Sequence, residues 1–239
     1  MRARLVAPLV AAVLGIGSGV TTALVVAGDD PGPDTPAAFD DPLHLNIPLV
    51  DQGCSGDALL VLGTGDTVAP LANAVANAGT EGTRYLRSDR SCATQLGPER
   101  KPAPAYVVYQ GPFDKRSEPC AVRMSGEAVG SFVTVLRAGN NTLVKCPCEL
   151  PASAAPLLEE GMEVDQRDVV WIRGLQTMFN DDDPELFPKD AVTGQYDRRT
   201  ADRVEEFQGR APAKLTEPRV VDETTWGILT NQLCLNYDY

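Results

Sequence analysis

The chain has 239 residues, with 21 Lys and Arg against 33 Asp and Glu, a formal charge of −12, and 43% hydrophobic residues. That length suits one large domain or two small ones, and the apolar share is enough for real cores. Nucleic-acid binding needs a basic footprint, so the acidic balance excludes it and leaves a neutral or zwitterionic polymer as a fitting partner.

Arg2 and Arg4 precede an uncharged stretch from Leu5 to Ala27, and Asp29 and Asp30 follow at once. The stretch is long enough to cross a bilayer as a helix and longer than the usual apolar core of a secretory signal. Its flanking charges put the N-terminus inside and the rest outside. Residues 1–28 are therefore expected to be a signal anchor, giving a membrane protein with extracytoplasmic domains. A signal peptide cleaved after Ala27, giving a secreted protein, is the alternative. Residues 29–53 are rich in Asp and Pro and read as a linker. His44, the single histidine, lies there and reads as incidental.

All six cysteines, Cys54, Cys92, Cys120, Cys146, Cys148 and Cys234, follow the apolar segment. An even count in an exported chain reads as disulfides. Cys146-Pro147-Cys148 is not the C-x-x-C pair of a zinc knuckle, and one histidine cannot complete such a site, so no metal is expected. Spacing leaves the pairing open. The expected set is Cys54–Cys92, Cys120–Cys146 and Cys148–Cys234, each worth about 3–4 kcal/mol in the chain-entropy view.

Beyond the linker, "ALLVLGTG" from Ala58 is an apolar run expected to form a buried strand. "TVAPLANAVANAGT" follows, with Val68, Leu71 and Val75 at helical spacing and Gly79 as a stop. "TRYLRS" reads as a second strand, and a polar, Pro-containing connection spans 88–104. "AYVVYQG" is a third strand. "DKRSEPCAVRMSG" is a short helix, with Asp114 or Ser117 as N-cap and Pro119 in its first turn. "SFVTVLRAG" closes the set. The order β-α-β-β-α-β predicts a four-stranded sheet with two helices on one face and the other face left open as a platform. Residues 54–149 are assigned to this unit and 150–163 to a second linker.

From 164 to 239 the pattern turns helical. Ile172, Leu175 and Phe179 share one helix face; Ala201, Val204 and Phe207 share another, with Asp197 as N-cap. Trp226, Leu229 and Leu233 share a third, capped by Asp222. The fold class expected is α+β: the sheet-and-helix sandwich followed by a small three-helix bundle.

The tail resembles the three-helix type of peptidoglycan-binding domain found on many wall hydrolases. The carrying residues are Leu175-Gln176, Thr193-Gly194-Gln195-Tyr196, Arg199-Thr200-Ala201, Phe207-Gln208 and the run Asp222 to Leu229 with Thr225-Trp226 at its centre. The chain departs from that pattern in the acidic insertion "NDDDPELFPKDAV" and in "APAKLTEPRVVD", which replaces a Gly-Leu-x-x-Asp-Gly signature. The resemblance implies a shallow groove for stem peptide or glycan lined by Tyr196, Asp197, Thr200 and Gln208. The plain reading of Leu175, Phe207, Trp226 and Leu229 is core, and of Gly194 a turn needing positive φ.

Residues 57–138 resemble the SPOR fold, an envelope module. Here the carrying residues are Tyr106-Val107-Val108-Tyr109 followed by Gly111-Pro112-Phe113. This resemblance implies binding of peptidoglycan glycan strands on the open sheet face, through Tyr109, Gln110 and Phe113. The competing reading of Gly111-Pro112-Phe113 is a tight strand-to-helix turn with Phe in the core. The extra cysteines are similar to those of stapled units behind transmembrane helices in actinobacterial envelope proteins.

Enzyme chemistry finds little support. Zinc hydrolysis needs several His, Asp or Glu ligands, and Ser-His-Asp or Cys-His sites need a histidine within a fold. A two-carboxylate glycosidase site is the one that acidic residues alone could supply. The expectation is thus a non-enzymatic, cofactor-free wall-binding protein whose partners are peptidoglycan and, through the N-terminal helix, the membrane. The alternatives are an envelope signalling or divisome accessory with protein partners, and a hydrolase with an unrecognised acidic site.

Overall fold

The unbroken apolar run at Ala58-Leu59-Leu60-Val61 forms the centre of β1 (Ala58–Gly65), and all four side chains are fully buried. A strand apolar at successive positions needs cover on both faces, and this one has it. In the computed structural model, which describes residues 40–92, 104–138, 143–210 and 217–235, β1 is followed by α1 (Val68–Ala78), β2 (Thr83–Arg87), β3 (Tyr106–Phe113), α2 (Ser117–Met124) and β4 (Phe132–Val135). The strands make one antiparallel sheet in the order β2-β3-β1-β4. The expected membrane segment lies outside the described residues, and among those described no helix is long and apolar enough to cross a bilayer.

Both helices stand on the face that carries Ala58, Leu60 and Leu62: α1 against β1 and β3, α2 against β1 and β4. In α1 the buried residues are Leu71, Ala74 and Val75, whereas Val68, expected on the core face, is exposed. No side chain caps α2; its N-cap position is Arg116, so neither Asp114 nor Ser117 serves. Gly111-Pro112-Phe113 is not a turn after the strand. It belongs to β3, where Phe113 pairs with Ala58 across a bulge. Gly111 has φ of 115°, and a Cβ there would lie 2.8 Å from the Phe113 ring. Only glycine meets both conditions.

The opposite sheet face is closed, contrary to the expected open platform. Leu59, Val61, Leu86, Val107, Tyr109 and Leu136 form a buried cluster with Cys92. The chain before β1 lies against it: Gln52 Nε2 donates to the Tyr109 hydroxyl at 2.7 Å, and that hydroxyl donates to the Val50 carbonyl at 2.8 Å. Burial raises the Tyr109 pKa, partly offset by the Gln52 donor. From residue 40 onward the expected linker is likewise packed. Leu45 and Ile47 are buried beside Tyr85, and Leu49 pairs with Tyr85 at the edge of β2.

The three disulfides are Cys54–Cys92, Cys120–Cys146 and Cys148–Cys234, the expected set. The second and third sit on either side of Pro147 in α3 (Cys146–Glu149). Then come α4 (Gln166–Asp182), α5 (Arg198–Gly209) and α6 (Glu223–Leu233). Asp197 and Asp222 cap α5 and α6 as expected, and Asp165 with Asp168 forms a capping box on α4.

Sheet and tail share one core. A single buried cluster runs from Ala58, Leu60, Met124, Val133 and Cys146 through Trp171, Leu175 and Phe179 to Trp226 and Leu229. Two glycines let the parts meet. A Cβ at Gly126 would lie 2.7 Å from the Arg167 backbone nitrogen, and one at Gly174 would lie 2.7 Å from Pro147 Cγ. The expected linker 150–163 is part of this seam: Leu158 is fully buried and pairs with Val221, and Trp226 Nε1 donates to the Pro156 carbonyl at 3.1 Å. The described residues accordingly fall in one compact unit.

The packed pre-strand segment predicts an alkaline transition. The Tyr85 hydroxyl donates to Asp41 Oδ1 at 3.0 Å and accepts from Leu43 N at 3.3 Å. Burial raises its pKa most, the Leu43 donor lowers it, and Asp41 raises it further, from 10.0 to about 12. The fold thus favours the protonated phenol. That contribution is whole below pH 10 and is lost as pH climbs through about 12. Denaturant titrations across this range should show stability falling, and falling less steeply in Tyr85→Phe; an identical fall in both proteins would contradict it.

Candidate functional site

Two of the four groove residues expected in the tail turn out to be internal fasteners. Gln176 of α4 is fully buried, and its Nε2 donates to the Gln195 carbonyl and to Thr200 Oγ1, each at 2.9 Å. Its Oε1 accepts the Gly194 N–H at 2.8 Å. Thr200, also fully buried, donates through N–H and hydroxyl to Asp197 Oδ1 at 2.9 and 2.8 Å. One amide therefore holds the turn Thr193–Gln195 against the start of α5. Gly194 has φ of 82°, with Arg173 and Val169 closing over the space a Cβ would need.

The next helix repeats the device. Gln208, near the end of α5, donates through Nε2 to the carbonyls of Val220 (2.9 Å) and Glu217 (3.1 Å), and accepts the Arg219 N–H at 2.8 Å. Asp222 caps α6 by accepting Thr225 N at 2.7 Å, and Gln208 Nε2 reaches Thr225 Oγ1 at 3.3 Å. A glutamine in one helix thus fastens the turn that leads into the capped start of the next, twice in succession. Buried amides with all positions used are costly to remove, because each former partner is left unpaired in a dry site.

Tyr196 is buried and its hydroxyl donates to the Arg219 carbonyl at 2.6 Å; burial, then the nearby Glu160, raises its pKa. Arg219, in turn, meets Glu205 at 2.7 Å and Asp202 at 2.5 Å. Asp197 is the exposed member of the expected set, and it stands beside the exposed Thr193 and Gln195. The acidic insertion is part of the fold: Phe187 is buried against Phe179 with ring centroids 5.6 Å apart, and Asp182 pairs with Arg203 at 3.0 Å.

In the sheet unit, Tyr109 is inaccessible beneath residues 50–52, and Phe113 is half-buried with its ring over Gly111. Gln110 points to the other side. It forms part of the floor of a cleft of about 600 Å³ between α1 and α2. Sequence reading missed this cleft because its other lining residues, among them Ala78, Val122 and Val129, have no pattern of their own. A shallower groove beside α5 is lined by Leu186, Arg198, Arg199 and Asp202. Among the described residues no group of three or more His, Cys, Asp and Glu side chains gathers as metal ligands. Compared with known proteins, the chain matches no family model, and neither a curated protein nor a solved structure is significantly similar to it.

Replacing Gln176 by Leu keeps the volume and removes the amide, stranding the Gly194 N–H and the Gln195 carbonyl. The expected loss is about 2–4 kcal/mol in denaturant unfolding. A loss within experimental error would mean that the turn does not depend on this residue.

Proposed function

We propose that the protein is a non-enzymatic peptidoglycan-binding protein of the bacterial envelope, held at the membrane by its N-terminal segment or secreted. On this reading α4, α5 and α6 are a three-helix peptidoglycan-binding unit, and β1–β4 with α1 and α2 are a SPOR-like sandwich fused to it. The observation that carries the reading is the repeated glutamine fastener. The residues that carry the tail's resemblance, Gln176, Gly194, Thr200, Gln208 and Thr225, are the ones joined in its two networks. Motif residues that are buried and joined to one another in this way support membership of the same structural type.

Three disulfides support an oxidising, extracytoplasmic setting. The surface this reading favours on the tail is the exposed turn at Thr193 and Gln195 with Asp197 and the first turn of α5. Thr200, Gln208 and Tyr196 shape that surface from beneath rather than touching the polymer. Because tail and sheet share a core, their surfaces are presented in fixed relation, and any gain in avidity comes from rigid geometry rather than from a tether.

Co-sedimentation of the folded protein with purified sacculi, intact and stripped of stem peptides, tests the reading. Saturable pelleting without release of soluble muropeptides is expected. Folded protein that stays in the supernatant with both preparations would contradict wall binding and direct the search to a protein partner; released muropeptides would contradict the non-enzymatic assignment.

A further inference from the structure

We infer that the cleft between α1 and α2 is a binding site for a short uncharged saccharide. The choice of an N-acetylated glycan rests on the wall-binding reading, while the site itself rests on the geometry. The sheet face first expected to meet glycan is covered, and the cleft lies on the opposite side of the sheet. Its volume of about 600 Å³ falls among those of small-molecule sites, roughly 300–1,000 Å³.

The opening follows from how the helices are seated. A Cβ at Gly63 would come 2.5 Å from the Ala74 Cβ, so α1 lies very close to β1 and its small residues leave space above Gln110. The other wall, α2, is fixed by the buried Cys120–Cys146 disulfide and by Gly126 against the start of α4. The cleft is therefore held open by the fold and needs no rearrangement to admit a ligand.

Its chemistry selects the ligand. Polar groups come from three separate elements: Gln110 of β3, Asn77 at the end of α1, and Glu127 in the loop after α2. The Gln110 amide has one long contact, to Thr83 Oγ1 at 3.4 Å, and the Asn77 and Glu127 side chains hydrogen-bond to nothing among the described residues. Two carboxamides offer donors and acceptors together, and a carboxylate accepts only. That combination suits hydroxyl and acetamido groups. No Lys, Arg or His lines the cleft, so an anionic ligand would find no counter-charge. Ala74, Ala78 and the exposed Val129 supply methyl groups for the C–H face of a sugar ring.

The test uses the N-acetylglucosamine tetrasaccharide as probe, titrated into the whole folded protein and followed by NMR shifts or calorimetry. Two variants accompany it: Ala78→Phe, which fills the cleft, and Asn77→Ala, an exposed position that the fold does not need. Saturable binding by the parent protein, weakened at least about tenfold in both variants with unchanged unfolding midpoints, is the expected result. No saturable binding by the parent, or binding that both variants retain in full, would overturn the site. Sacculus pelleting measured alongside separates the two levels. Pelleting without tetrasaccharide binding overturns the cleft alone; absence of both overturns the wall-binding reading as well.

Discussion

The seam between the sheet unit and the tail helices is the constraint on which the rest depends. Met124, Cys146 and Pro147 on one side meet Trp171, Gly174 and Leu175 on the other in one buried cluster. Within the same cluster the Trp171 ring of α4 and the Trp226 ring of α6 meet edge-on at 5.2 Å, and both are almost wholly buried. Burying each such ring is worth on the order of 2–3 kcal/mol relative to exposure. The glycines at 126 and 174 matter because they let backbone and proline approach where any Cβ would hold the halves apart. Cys120–Cys146 and Cys148–Cys234, a residue apart at Cys146 and Cys148, tie the sheet's second helix and the end of α6 to the same short helix.

That seam decides which surfaces are available. It uses the outer flank of α2, so α2 stands with the tail while α1 stands over β1 and β3, and the space between them stays open. Cover on the other sheet face comes from the chain before β1, stapled by Cys54–Cys92. A sheet closed on both sides cannot serve as a platform. The concave and exposed surfaces that remain are the cleft between the helices and the turns before α5 and α6, which the buried glutamines hold in shape.

Much of the local structure was legible in the sequence. β1 runs over the residues its apolar run predicts, and Asp197 and Asp222 cap where a short acceptor precedes an amphipathic stripe. The disulfide pairing follows the expected set. What escaped was tertiary. Residues 40–52 and 150–163 have the proline and acid content of linkers, yet Ile47 and Leu158 are buried by partners far away in sequence, and no period announces such single anchors. The same limit applied to the site. Thr200 and Gln208 are polar types that usually face water, and only the long-range hydrogen bonds reveal them as core. The expected buried strand and the expected open platform were at odds: a strand reading Leu-Leu-Val-Leu has no polar side to turn toward a ligand.

The most direct test of the shared core is scanning calorimetry of the protein with its disulfides intact. A single transition is expected, with calorimetric and van't Hoff enthalpies equal, because sheet and tail cannot melt apart while one cluster spans them. Two resolved transitions, or a calorimetric enthalpy well above the van't Hoff value, would show two independently stable parts and contradict a single core.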